Sequence, residues 1–142
     1  MNNKELFIIF PIIKSNNYYE KLNKPYLNPP KIVFSIIWPI LYLLIGISYY
    51  LIIIKFESYY NSLFIIMIIH LLINYSFTFI FFYFKQKLLS AIICLITLVL
   101  AIYLFFIFFN YDKVGTSSYL LLPYIIWLIF ANYLSLTIYF IN

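Results

Sequence analysis

The sequence has no arginine, four acidic residues, two glycines and a single cysteine among its 142 residues. Each scarcity removes a class of function. One cysteine, Cys94, excludes an intramolecular disulfide and any metal site built from several thiolates. In apolar surroundings its thiol is expected to be unreactive. Two glycines leave no glycine-rich loop to cradle phosphate. The four carboxylates are scattered, so no acid–base pair and no nucleophile–base–orienter set can be drawn. The net charge of +5, carried by nine lysines, is spread thinly and forms no basic patch interleaved with aromatics. Nucleic acid is therefore not an expected partner.

What remains is overwhelmingly apolar. Hydrophobic residues make up 66% of the chain and charged ones 9%. A soluble domain of this size must wet too much of its surface to accommodate that balance, so lipid is the expected solvent. The sixteen phenylalanines and sixteen tyrosines suit helix–helix packing and interfacial anchoring. Four apolar runs, at residues 32–54, 63–84, 88–109 and 119–141, are each about 22 residues long. That length takes a helix across a hydrocarbon core of about 30 Å. None has a charged residue in its interior, and none shows the alternation of a membrane β-barrel. The fold expected is an all-α membrane protein in one domain, residues 1–142.

The N-terminal part reads differently. Residues 6–13 are apolar but only eight long, and Pro11 interrupts them. Glu5 precedes the run and no small-residue cleavage site follows, so a signal peptide is disfavoured. Residues 1–17 are read as a shortened first helix, its apolar part being the end of that helix or an interfacial segment. Residues 18–31 hold Tyr18, Tyr19, Tyr26, Pro25, Pro29 and Pro30, and are read as a lid loop. Lysines predict orientation. Lys14, Lys21, Lys24 and Lys31 precede the first full span, and Lys85 and Lys87 follow the second. These six share one side with the C-terminus, while Lys55 and Lys113 lie on the other, each near an acidic residue. The positive-inside rule then places the lid loop and the C-terminus in the cytosol.

Polar and aromatic positions inside the spans are the informative ones, because each is costly unless paired or facing a cavity. His70, Asn74, Phe77 and Phe81 fall on one face of the second full span. His70 and Asn74 can tie helices together by hydrogen bonds, or they can line a ligand cavity. Axial ligation of a haem iron by His70 is a third reading, and a lone histidine otherwise makes no metal site. The first full span aligns Trp38, Tyr42, Ile45 and Tyr49, with Pro39 expected to loosen or kink the helix. The third aligns Ser90, Cys94, Thr97 and Ala101, a small-residue seam for close helix approach. The last aligns Tyr124, Trp127, Ala131 and Leu134, with Pro123 in its first turn. Ala131 leaves room beside Trp127 for a neighbouring helix or a flat ligand. No span carries a charge suited to ion or proton translocation.

Three stretches, in order, resemble the TspO/MBR (translocator protein) family. The first is Tyr18-Tyr19, Lys24-Pro25, Pro29-Pro30, Phe34, Trp38 and Leu41-Tyr42. The second is Leu71, Asn74 and Phe81-Phe82. The third is Leu122-Pro123-Tyr124, Trp127, Phe130-Ala131, Tyr133-Leu134 and Asn142. The resemblance implies a bundle of five transmembrane helices, here four full spans plus the shortened first helix, often paired as a homodimer in a bacterial cytoplasmic membrane. It implies a cavity under the lid loop that binds protoporphyrin IX, haem or a related tetrapyrrole as ligand, with no resident cofactor required. The ligand-binding residues it suggests, together with their face neighbours, are Tyr19, Trp38, Tyr42, His70, Asn74, Phe77, Trp127, Ala131 and Leu134. The ligand's carboxylates would meet Lys21, Lys24 or Lys31 at the polar mouth. The role implied is regulation, scavenging or transport. One alternative is an enzyme of light- and oxygen-dependent porphyrin degradation, with Trp38 and Trp127 as catalytic candidates. Another is a structural membrane protein with a degenerate pocket. The chain departs from the family pattern at Tyr18, Leu27 and Phe77, each in place of tryptophan, and at Pro39, His70 and Ser135. No basic residue follows the last span, so a porphyrin is favoured over a sterol.

Overall fold

The computed structural model describes residues 22–55, 60–112 and 115–142. The expectations for the shortened first helix, for Tyr18 and Tyr19, and for Lys14, Lys21 and Lys113 lie outside the described residues. Within them the chain is helical, and no strand occurs. Helix α1 is Lys31–Lys55, α2 is Tyr60–Thr78, α3 is Lys87–Tyr111, α4 is the single turn Thr116–Tyr119, and α5 is Leu122–Ile141. Four segments, Ile32–Lys55, Ser62–Phe81, Lys87–Tyr111 and Thr116–Ile141, are long and apolar enough to cross a membrane. These match the four apolar runs to within a few residues.

Helix ends follow the local chemistry. Pro29 and Pro30 precede α1, and the Val33 amide donates to the Pro30 carbonyl at 3.0 Å. A proline there costs nothing, because the first helical amides have no intrahelical partner. Pro39 lies inside α1, yet the helix runs through it unbroken. The proline is on the exposed side, where its ring displaces lipid and not a neighbouring helix. Beyond Thr78, α2 widens into a π-helical turn, Phe79–Tyr83. The Phe84 amide donates to the Phe79 carbonyl, and the Gln86 amide to the Ile80 carbonyl, both at 3.0 Å. Lys85, left-handed at φ 58°, then reverses the chain. The last apolar run is broken at Leu120 and Leu121, between α4 and α5, and Pro123 sits in the first turn of α5.

The core joins Ile45 and Ile52 of α1, Met67 of α2, Leu104 and Phe108 of α3, and Tyr124 and Leu128 of α5. Large apolar residues such as Ile36, Leu43, Leu72, Val99 and Ile126 stay exposed, as lipid-facing positions must. The closest pairing is α3 with α5. It runs along the small-residue seam, where Ser90, Cys94, Thr97 and Ala101 are all buried. Asn132 of α5 donates to the Cys94 carbonyl there at 3.2 Å. By contrast, α1 approaches α4 closely but meets α2 and α5 largely through long side chains.

Two polar knots close the ends. At the end where α1 begins and α5 finishes, the Asn23 amide donates to Asn142 Oδ1 at 2.9 Å. Asn142 Nδ2 returns a bond to the Asn23 carbonyl at 2.9 Å. Leu22 packs there against Phe81 and Ile138. At the opposite end Lys55 pairs with Asp112 at 3.1 Å. Asp112 Oδ2 also accepts from Ser117 Oγ at 2.8 Å and from the Ser117 amide at 3.3 Å. Ser48 Oγ donates to the Ser117 carbonyl at 2.6 Å.

Gly115 makes this second knot geometrically possible. Its φ is +84°, and an added Cβ would sit 2.6 Å from the edge of the Tyr119 ring. The half-exposed ring can swing aside, but the left-handed backbone cannot be relieved. Gly115→Ala is expected to cost about 1–2 kcal/mol in detergent unfolding, and Gly115→Asn less, since asparagine tolerates that region. Equal losses from both would show that the ring contact and not the dihedral sets the cost.

Candidate functional site

The looser spacing of α1 from α2 and α5 is filled by aromatic rings. On α1, Trp38 and Tyr42 are one turn apart, and their rings stack at 5.6 Å and 27°. Tyr42 stacks in turn on Tyr75 of α2 at 5.2 Å and 20°. Three nearly parallel rings thus form a wall from α1 to α2. Trp127 of α5 meets this wall edge-on, 6.3 Å from Trp38 at 89°. Phe34 meets Trp127 at 5.5 Å and 70°, and Phe130 flanks it at 5.6 Å. The result is a corner of flat apolar faces set at right angles.

Two buried donors at this corner lack partners. Trp127 Nε1 and Asn74 Nδ2 are both inaccessible to solvent and make no hydrogen bond. Asn74 is 5% exposed, and its side chain neighbours the Tyr42 hydroxyl. A buried donor without an acceptor costs about 1–3 kcal/mol, so such groups call for an explanation. A further buried atom without a partner, Asn132 Oδ1, belongs to the α3–α5 seam.

The other expected site residues fall elsewhere. His70 is fully buried deeper in the bundle. Its Nδ1 is 2.6 Å from the Tyr49 hydroxyl of α1, and its Nε2 is 3.0 Å from the Tyr124 hydroxyl of α5. One side chain of α2 thereby ties three helices, and with both nitrogens engaged neither is open to iron. Phe77 stacks on Phe81 at 5.8 Å and 10°, in the cluster that receives Leu22 at the lid end. Ala131 is half-buried one turn beyond Trp127, and Leu134 is buried. The structure therefore brings together Trp38, Tyr42, Asn74 and Trp127, and assigns His70 and Phe77 to separate clusters. Sequence reasoning passed over Tyr75, Phe34 and Phe130 as site residues. Phe34 carried a signal, sharing the inward stripe of α1 one turn before Trp38. Tyr75 carried none, because it is half exposed on the far side of α2 from His70.

The fold defines a multi-pass helical membrane protein, with a cluster of aromatic rings between three of its spans. The model of the TspO/MBR family matches residues 6–141, nearly the whole chain, and the protein belongs to that family. A comparison with curated proteins returned no match.

Proposed function

We propose that the protein binds a tetrapyrrole, protoporphyrin IX being the first to test, at the corner formed by Trp38, Tyr42, Asn74 and Trp127. The observation that carries this reading is the pair of unpartnered donors, Asn74 Nδ2 and Trp127 Nε1, set beside parallel aromatic faces. A macrocycle offers what the corner lacks. It has flat apolar faces for the rings, and carboxylates or ring nitrogens as acceptors for the two donors. Family membership supports the same ligand class. The described part of the lid loop is held by the Asn23–Asn142 bonds at the end of the bundle where α1 begins, and Lys24 lies at that end. Lys55, at the opposite end, is neutralised by Asp112. The larger number of lysines on the lid side favours a cytosolic lid and C-terminus. A second reading, oxidative turnover of the bound porphyrin, draws on the direct contact between Trp38 and Trp127.

The chain's two tryptophans both sit at this corner, so their fluorescence reports on it alone. Titration of the detergent-purified protein with protoporphyrin IX is expected to give saturable quenching. Asn74→Ala should weaken binding about tenfold, the worth of one well-buried hydrogen bond. Trp127→Phe, which removes the other donor, should do the same. Quenching that never saturates and ignores both substitutions would mean partition into the micelle, and would remove the reading.

A further inference from the structure

We propose that the buried Tyr49–His70–Tyr124 triad is a proton-coupled electron donor that refills the site's tryptophans when they lose an electron. The proposal rests on the tetrapyrrole reading for its oxidant in use, because a photoexcited tetrapyrrole can take one electron from an indole in contact with it. The triad's own chemistry stands on geometry. A phenol gives up an electron readily only when its proton can leave at the same time. Neutral imidazole has one protonated nitrogen and one bare nitrogen. Both His70 nitrogens face tyrosine hydroxyls, at 2.6 and 3.0 Å. Whichever tautomer is present, one phenol donates to a bare nitrogen, and the shorter bond favours Tyr49.

The step balances. The oxidised indole of Trp127 or Trp38 accepts one electron from Tyr49. The Tyr49 O–H bond breaks and its proton forms an N–H bond at His70 Nδ1. The products are a neutral indole, a neutral tyrosyl radical and an imidazolium whose Nε2–H donates to the Tyr124 oxygen. Connection to the site is short. Tyr124 precedes Trp127 by three residues on α5, neighbours on the helix surface. Tyr49 follows Tyr42 by two turns on α1, about 10 Å along the axis. The site's other tyrosines are less suited. Tyr42 faces the Asn74 amide, which is not a base, and Tyr75 is half exposed. None of the four spans carries a carboxylate, so the imidazolium rests on two tyrosine oxygens and the radical state is expected to be brief. The function added is protective: a site that holds a photosensitiser drains oxidising equivalents away from its own tryptophans.

Laser-flash oxidation of the two tryptophans in the purified, ligand-free protein tests this without any tetrapyrrole. Transient absorption is expected to show the indole radical decaying as a tyrosyl radical rises. His70→Gln keeps a hydrogen-bonding side chain that cannot take a proton, and should slow this transfer by roughly tenfold or more. The Tyr49→Phe, Tyr124→Phe double variant should abolish the His70-dependent phase. Unchanged transfer in a folded His70→Gln protein would overturn the proposal even if protoporphyrin binds as expected. Normal His70-dependent transfer in a protein that fails to bind protoporphyrin would support the triad and overturn only the ligand reading.

Discussion

His70→Ala is expected to cost roughly 3 kcal/mol of stability, the largest loss of any single substitution considered. Three effects add. The first is the loss of two interhelical hydrogen bonds, which inside a membrane average only about 0.6 kcal/mol each. The second is larger: the Tyr49 and Tyr124 hydroxyls, both on buried residues, lose their shared partner, and an orphaned buried group costs about 1–3 kcal/mol. The third is the void left by the imidazole ring, which lies between the rings of Tyr49, 6.2 Å away, and Tyr124, 5.5 Å away. His70→Gln refills most of that volume and can bond one tyrosine, so its loss should be nearer 1 kcal/mol. Equilibrium unfolding in mixed micelles measures both. A double-mutant cycle with Tyr49→Phe separates the hydrogen bond from the void. Equal losses for alanine and glutamine would mean that neither the refilled volume nor the retained hydrogen bond counts. A loss below about 1 kcal/mol for alanine would mean that the triad does not tie the helices.

The spans were legible in the sequence because lipid imposes one simple rule, uninterrupted apolar length, and α1, α2, α3 and α5 all obey it. Inward faces were legible for the same reason. Ser90, Cys94, Thr97 and Ala101 share a face by helical period alone, and that face is where α5 lies. Partnership was not legible. The stripes containing Tyr49, His70 and Tyr124 each pointed inward, but three helices must adopt particular rotations and depths before those side chains meet. Nothing along one helix encodes the depth of another. Lys55 shows the same limit. Its nearest acidic neighbour in sequence is Glu57, yet its ion pair is with Asp112, 57 residues away. The corner itself was half legible. Trp38, Tyr42, Asn74 and Trp127 emerged from period and resemblance. Tyr75 did not, because a residue half exposed to lipid reads as an outward one even when its ring folds back over Tyr42. The π-helical turn at Phe79–Tyr83 had no signal either, since its five residues are all large and apolar.

Asp112→Asn should cost roughly 2–3 kcal/mol at neutral pH, and the cost should disappear in acid. Burial raises the Asp112 carboxyl, but hydrogen bonds from Ser117 Oγ, Lys55 Nζ and the Ser117 amide outweigh it and hold the group below its ordinary value of 3.8. A carboxylate with a depressed folded-state pKa stabilises fully above its unfolded value. That contribution is lost as the pH falls through the folded one. The loss therefore belongs below about pH 3.8 and not near neutrality. Lys55 is 39% exposed while Asp112 is 4% exposed, so the ion pair itself is partly screened and worth less than 1 kcal/mol. The larger share lies with the Ser117 bonds, since hydrogen bonds to a charged acceptor contribute about 1.5–3 kcal/mol. Ser117→Ala should accordingly cost more than Lys55→Gln. The knot joins α1, the end of α3 and the turn leading into α5, so loosening it should raise hydrogen exchange at α4 before the spans unfold. Melting curves of wild type and Asp112→Asn from pH 7 down to about pH 2, well below the ordinary carboxyl value, decide the matter. The two should converge on acidification, and a constant gap would mean that asparagine disturbs the turn by its shape and not by its charge.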